Sequence, residues 1–242
     1  MKQCLLCLMM VLSGLFFTSG ARAEALVVGV MSADRPPYFW KDKTGGYKGL
    51  FVDVLDELTK ETDIHFSYKA LPKARLRLYM VAGKIDVEMG IAKEWRQKKE
   101  ELATSVYSIP FMESKEVYVT HSSSEKVDSA NDVPLGDKFC GILGFSMPKG
   151  SIGKKRQDFL CETQLIKMID KRRCDYTVMP YDIYRYLIRG ANYSVAASAP
   201  ISTHAMRVRL HKRNEWLLPR INAALKRIKQ SGVLASLLKK YE

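Results

Sequence analysis

The chain has 242 residues, 47% of them hydrophobic and 27% charged, a composition that excludes a disordered or collagen-like polymer. At this length one large domain, or two lobes of about 100 residues, can bury a core without metal or cross-links. The 39 Lys and Arg against 26 Asp and Glu leave a net charge of +13, which raises nucleic acid or an anionic membrane as a partner only if the surplus lies where a partner could meet it.

Residues 1–23 read as a secretory signal peptide: a basic start, an apolar run over 4–17, then Ser19-Gly20-Ala21-Arg22-Ala23 with small residues ahead of a cleavage before Glu24. The run is shorter than the roughly 20 apolar residues that span a bilayer, which argues against an anchor. Cys4 and Cys7 follow no cleavable small-residue box, which argues against a lipid. Removing the segment takes Lys2 and Arg22 and leaves +11; no later stretch is apolar for long enough to cross a membrane, so a soluble periplasmic protein is expected. Cys140, Cys161 and Cys174 remain, and one disulfide plus one free thiol is the simplest count. Those three form no CxxC pair, and no histidine stands at metal-ligand spacing among His65, His121, His204 and His211, so neither a metal nor a cofactor is expected.

In chain order, residues 26–30 form a β-branched strand that Pro36 and Pro37 stop, forcing an extended loop. Past the Gly45-Gly46 turn, Leu50, Phe51, Val54, Leu55 and Leu58 recur at helical spacing, and residues 64–68 alternate as a strand. A second helix carries Leu76, Met80 and Val81 inward and leads through Gly83 to a strand at 85–89, so the unit is βαβ in type with a parallel sheet. A strand at 116–120 is followed by the polar stretch 122–132, a boundary. The next unit has a strand at 139–143, a glycine-containing loop at 144–153, a helix at 165–169, a strand at 174–179 and a helix at 181–188 ended by Gly190. Residues 206–210 return as a strand, and Leu217, Leu218, Ile221, Ala224, Leu225 and Ile228 line an amphipathic helix that Ser231-Gly232 interrupts before 233–238 resumes. The expected architecture is α/β: two lobes, each a mostly parallel sheet flanked by helices, joined by extended crossings near 116–121 and 205–211 that make a hinge. The last helices pack back on the first lobe, which comprises 24–118 and 205–242, while 119–204 make the second.

These residues resemble the extracytoplasmic solute-binding proteins of family 3, the type II periplasmic receptors of amino-acid ABC transporters, as a divergent member. The resemblance rests on residues 26–30 followed by Pro36-Pro37-Tyr38, Tyr47-Lys48-Gly49-Leu50 with Asp53, Gly83-Lys84-Ile85-Asp86, Glu94-Trp95-Arg96, Ser108-Ile109-Pro110-Phe111, Cys174-Asp175, and the ending 232–241 with Lys239-Lys240, in this order across nearly all of 25–241. It implies a small polar ligand captured between the lobes, hinge closure, a monomer, and a membrane permease as partner. It further implies that Arg96 clamps a ligand carboxylate, as a guanidinium fork can, and that Gly144-Phe145-Ser146 offers hydrogen-bond donors to the same group. Departures from the pattern are Arg35 in place of an aromatic wall, Met179-Pro180 with an acid only at Asp182, and Gly90-Ile91-Ala92 in place of hydroxyl residues. Tyr38, Trp40 and Tyr181 stand as nearby aromatics, and Pro72-Lys73-Ala74-Arg75 adds cations beside the cleft. The binding set read from the sequence is therefore Arg96, Arg35, Tyr38, Trp40, Arg75, Phe145, Ser146 and Tyr181. With few opposing carboxylates in view, it points to a ligand rich in negative charge or lacking an amino group. Cys140 and Cys174, on strands expected to neighbour one another, are the expected disulfide, with Cys161 free.

Two rival functions use the same fold: a periplasmic dehydratase, for which Glu88 and Glu94 are acids by location only, and a ligand sensor for a separate membrane partner. No Gly-x-Ser-x-Gly or His-Glu-x-x-His motif supports an enzyme. Regional nets of 0 for 24–118, +3 for 119–199 and +8 for 200–242 put most of the surplus in the C-terminal segment, where Lys226, Arg227, Lys229, Lys239 and Lys240 read as a solvated face. No aromatic-interleaved basic motif supports nucleic-acid binding.

Overall fold

A computed structural model of the chain describes residues 24–125, 133–148 and 151–242. The expected signal peptide, most of the boundary at 122–132 and part of the 144–153 loop lie outside them.

The first strand, β1 (Glu24–Met31), pairs in parallel along its whole length with β4 (Ile64–Leu71), from Glu24 opposite Ile64 to Met31 opposite Leu71. Between them a short hairpin, β2 (Trp40–Lys41) with β3 (Tyr47–Lys48), leads into α1 (Leu50–Thr62). The helical spacing read from the sequence is the buried face of α1: Leu50, Phe51, Val54, Leu55 and Leu58 are all in the core. Helix α2 (Lys73–Val81) buries Leu76 and Met80 and returns the chain to β5 (Val87–Ile91), parallel to β1.

That strand starts two residues later than expected, because Asp86 is used elsewhere. Its carboxylate accepts the Val27 N–H at 3.0 Å, the Arg213 guanidinium at 2.6 Å and the Asn214 amide at 2.7 Å, pinning the C-terminal segment to the edge of β1. A second difference is the Pro36-Pro37 loop, joined by a cis bond. It is a tight turn and not an extended one, since the Arg35 N–H reaches the Phe39 carbonyl at 2.8 Å and the Tyr38 N–H the Arg35 carbonyl at 2.9 Å.

After α3 (Lys99–Ala103) and β6 (Ser105–Tyr107), strand β7 (Met112–His121) enters the second half. There β8 (Lys138–Ile142), β9 (Lys155–Phe159), α4 (Glu162–Asp170), β10 (Tyr176–Pro180) and α5 (Tyr181–Ile188) follow, and β11 (Val195–His211) returns. The strand order is β4-β1-β5-β11-β7-β10-β8-β9, with β6 added on β11. Parallel pairs β8–β10 and β8–β9 mirror the first half. Strand β9 escaped the sequence reading because Lys-Arg-Gln-Asp-Phe is a polar edge strand without alternation. Strand β11 is much longer than the expected return: its first part pairs with β7 from Val195 opposite His121 to Met206 opposite Met112, and its end pairs with β5 and β6. Strands β7 and β11 together thus join the two lobes.

Cys140 on β8 and Cys174 just before β10 are bonded, with Cα atoms 5.9 Å apart, and Cys161 is a half-buried free thiol. Helices α6 (Leu218–Gln230) and α7 (Val233–Tyr241) pack on α1, α6 through Ile221, Ala224, Leu225 and Ile228. Their basic face is not wholly solvated: Arg227 pairs with Glu61 at 2.6 Å and Lys240 with Asp53 at 2.7 Å, both acids on α1.

Candidate ligand site at the lobe seam

The turn after β1 and the start of α4 meet across the lobes. Arg35 Nε lies 2.6 Å from Glu162 Oε1, with the side chains 14% and 4% exposed. The same guanidinium carbon stands 5.3 Å from the Tyr38 ring centre and 5.2 Å from that of Phe145, on the loop after β8. Tyr38 is fully buried and stacks on Phe51 at 4.3 Å. Its hydroxyl donates to Asp182 Oδ2 at 2.7 Å and lies 3.2 Å from Ser114 Oγ on β7, so one phenol touches both lobes and the hinge strand. Burial pushes both Tyr38 and Asp182 up, so Tyr38 keeps the proton that it donates.

Two glycines make room for this arrangement. Gly90 has φ +65°, and a Cβ there would strike the Phe51 ring on which Tyr38 stacks. Gly144, at φ +85°, lets the Phe145 loop close on Lys73, whose Cβ and Cγ would be 3.3 Å from an added Cβ.

Lys73, at the first turn of α2, places Nζ 5.0 Å from the Phe145 ring centre, so two cations flank one ring. Burial, and then the Arg96 guanidinium, push its ammonium down to about 7. Behind it lies a buried charge cluster. Glu88 faces Arg96 at 3.6 Å and bonds Arg209, while Glu101 accepts Arg77 Nε at 2.9 Å and lies 3.7 Å from Arg96. Burial works to raise Glu88, but Arg96, Lys73 and Arg209 overcome it and hold its carboxyl below the usual range.

Of the residues read from the sequence, Arg35, Tyr38 and Phe145 converge at the seam. Arg96 sits beneath it, 4% exposed and directed at Glu88 and Glu101, with Nε and Nη2 free of hydrogen bonds among the described residues. Arg75 is exposed and turned away, because Lys73 and Arg77 share a face of α2 at i and i+4 and a residue two along from either is on the opposite side. Ser146 is exposed. Trp40 and Tyr181 lie toward another part of the interlobe boundary: Trp40 contacts Tyr186 of α5 at 6.0 Å and Tyr241 of α7 at 6.1 Å.

The expectation of few opposing carboxylates is corrected. Glu88, Glu101, Glu162 and Asp182 all come in, from four separate elements; Glu88 and Asp182 stand out in the sequence by location alone, and Glu101 and Glu162 not at all. The cations Arg35, Arg77, Arg96 and Arg209 each face one of these acids. Lys73 has neither a hydrogen bond nor an ion pair among the described residues.

The arrangement matches known proteins as follows. The family model for bacterial extracellular solute-binding proteins, family 3, matches residues 26–242. Among solved structures, an ancestral arginine-binding protein bound to arginine superposes with a TM-score of 0.75 at 22% identity, covering 90% of this chain and 97% of that one. A histidine kinase sensor domain with similarity to periplasmic binding proteins gives 0.77 at 17% identity, covering 91% and 96%. An ancestral amino-acid-binding protein, a precursor of cyclohexadienyl dehydratase, gives 0.72 at 22% identity, covering 90% and 95%. At these identities the likeness is one of fold. No curated protein sequence matches the chain. Among the described residues no helix is long and apolar enough to cross a membrane. With the family model spanning both lobes and the seam between them, the chain belongs to the bacterial extracellular solute-binding proteins of family 3.

Proposed function

We propose that this protein is a periplasmic receptor, exported by residues 1–23, that captures a small carboxylate-bearing solute between a lobe of residues 24–118 with 205–242 and a lobe of residues 119–204, and presents it to the membrane permease of an ABC transporter. The observation that carries the ligand class is Lys73: it is the one seam cation with neither a hydrogen bond nor a close ion pair to an acid among the described residues, Glu88 acting on it only through space, and it lies beside an aromatic face and next to the unbonded Arg96 Nε and Nη2. One added negative charge balances the cluster, and a carboxylate supplies acceptor oxygens for both side chains. Arg35 and the Phe145 loop bring the second lobe to the same place. A ligand that touches α2 and the Phe145 loop together stabilises closure by contacts absent from the open form, and closure alters the surface offered to a permease.

A binding role fits these groups better than catalysis, since Glu88 and Glu162 are each committed to an arginine instead of being free to move a proton. A thermal-shift screen of amino acids, dicarboxylates and polyamines tests the reading. A carboxylate ligand at 100 times its Kd raises stability by about 2.7 kcal/mol. Stabilisation by polyamines and by no carboxylate contradicts it.

A further inference from the structure

The crossing strands carry a titratable cluster that the seam does not use. His204 lies on β11 opposite Ser114 of β7, and each of its ring nitrogens faces a carboxylate. Nδ1 is 2.7 Å from Glu94 Oε1, on the short 3-10 turn Lys93–Trp95 of the first lobe. Nε2 is 3.3 Å from Glu116 Oε2 on β7 and 3.0 Å from Ser202 Oγ, which donates to Glu116 at 3.0 Å. The Trp95 ring packs on the imidazole at 4.9 Å. Two cations act on the acids from outside the cluster, Arg207 on Glu94 and Arg35 on Glu116.

The same turn leads straight into Arg96, whose N–H donates to the Lys93 carbonyl at 3.1 Å and whose guanidinium lies beneath the seam. A side chain that fixes Glu94 and Trp95 therefore fixes the backbone from which Arg96 reaches inward.

An imidazolium has two N–H groups and a neutral imidazole one. The charged ring serves Glu94 and Glu116 together, whereas the neutral ring leaves one of them facing a lone pair. The acid released is Glu94. Its side chain is 55% exposed against 31% for Glu116, so water replaces the lost donor there, and Glu116 keeps Ser202 as a second donor.

We propose that His204 is a positioning residue for the seam: its doubly protonated ring ties the turn that carries Arg96 to the crossing strand β11, and loss of the proton lets that turn go. Its effect on binding rests on the reading of the seam as a carboxylate site. An Arg96 already held in place loses less freedom when the ligand arrives, so His204 tightens the site on the acid side of its own titration.

Backbone hydrogen exchange in the ligand-free protein tests this, at several pH values across the titration of the His204 Cε1–H followed by NMR. The background is Lys73→Met, so that the Lys73 titration does not contribute. The protection factors of the Trp95 and Arg96 amides, in which the pH dependence of intrinsic exchange is already divided out, are expected to fall by about tenfold as the ring loses its proton, the size of one hydrogen bond to a charged group. In Glu94→Ala, an exposed substitution, and in His204→Gln, both made in the same background, they are expected to be low throughout and flat with pH. A contact that only braces the fold would lower protection in the variants without giving the background protein a step. Protection that does not change through the His204 titration, or a step of the same size in Glu94→Ala, overturns the proposal. Because no ligand is present, either result leaves the carboxylate reading standing, and failure of that reading leaves this outcome unaffected.

Discussion

Arg35 and Glu162, 127 residues apart in sequence, form a largely buried ion pair that fastens one lobe to the other at 2.6 Å. Each partner has a second reason to be there. Glu162 opens α4, where the helix dipole favours an acid, and Arg35 rests on two aromatic faces, Tyr38 and Phe145. Removing one member of a buried pair leaves the other uncompensated, at a cost of about 3–5 kcal/mol.

Opening the lobes relieves that cost by giving the orphan to water. Glu162→Gln and Arg35→Gln are therefore expected to enlarge the radius of gyration of the ligand-free protein in small-angle scattering, and the exchanged pair, Arg35→Glu with Glu162→Arg, to restore it. Single variants that scatter like the parent contradict the role of the pair.

Lys73 links binding to protons. Its ammonium is depressed to about 7 in the fold but titrates near 10.4 in an unfolded chain. Between those values unfolding takes up a proton, so its contribution to stability is least favourable below about pH 7 and improves as pH rises. Urea denaturation at pH 6 and pH 9 should show a smaller rise with pH in Lys73→Met than in the parent, and a higher stability of the variant at pH 6. A carboxylate ligand favours the charged form, so above pH 7 binding takes up a proton and its calorimetric heat changes with the ionisation enthalpy of the buffer.

His204, on β11, bridges the lobes' junction. Nδ1 is 2.7 Å from Glu94 and Nε2 is 3.3 Å from Glu116 and 3.0 Å from Ser202, with Trp95 packed on the ring at 4.9 Å. The Glu116 hydrogen bond, against the opposing effect of burial, raises the imidazole above its ordinary value, helped by Glu94; Arg207 acts on Glu94 in turn. A raised cation pKa contributes stability that is complete below the unfolded value of about 6.5 and is lost as pH rises through the folded one. Chemical denaturation between pH 5.5 and 8.5 should therefore show a change in stability that is less favourable in the parent than in His204→Gln, whatever Lys73 adds equally to both; equal changes contradict the bridge.

The disulfide closes a loop with a sequence separation of 34, for which chain entropy predicts about 4 kcal/mol. Cys140→Ser with Cys174→Ser should lower the melting temperature, and reductant should do the same to the parent while leaving the double variant unchanged.

The core of the first lobe was legible because its signals are local. Leu50 to Leu58 at helical spacing and the β-branched run of β1 encode their own burial. The lobe-joining strands were legible in existence and not in length, since Ala196, Ser198 and Pro200 interrupt the pattern where β11 shifts register against β7. The seam was half legible. Arg35, Tyr38 and Phe145 sit in turns marked by proline and glycine, and Glu88 and Asp182 stand out by location, whereas Glu101 and Glu162 look like ordinary solvated acids until the fold turns them inward. Lys73 and Arg75 carry the same charge two residues apart, and only the helical phase of α2 separates the exposed one from the one at Phe145.

Calorimetric titration of matched acids and their amides into the parent protein and into Lys73→Met tests the central claim most directly. If the seam receives a carboxylate at Lys73, the parent binds an acid and not its amide, and Lys73→Met weakens that acid by about tenfold or more. Amides that bind as tightly as acids, or an acid that binds Lys73→Met as well as the parent, would contradict it.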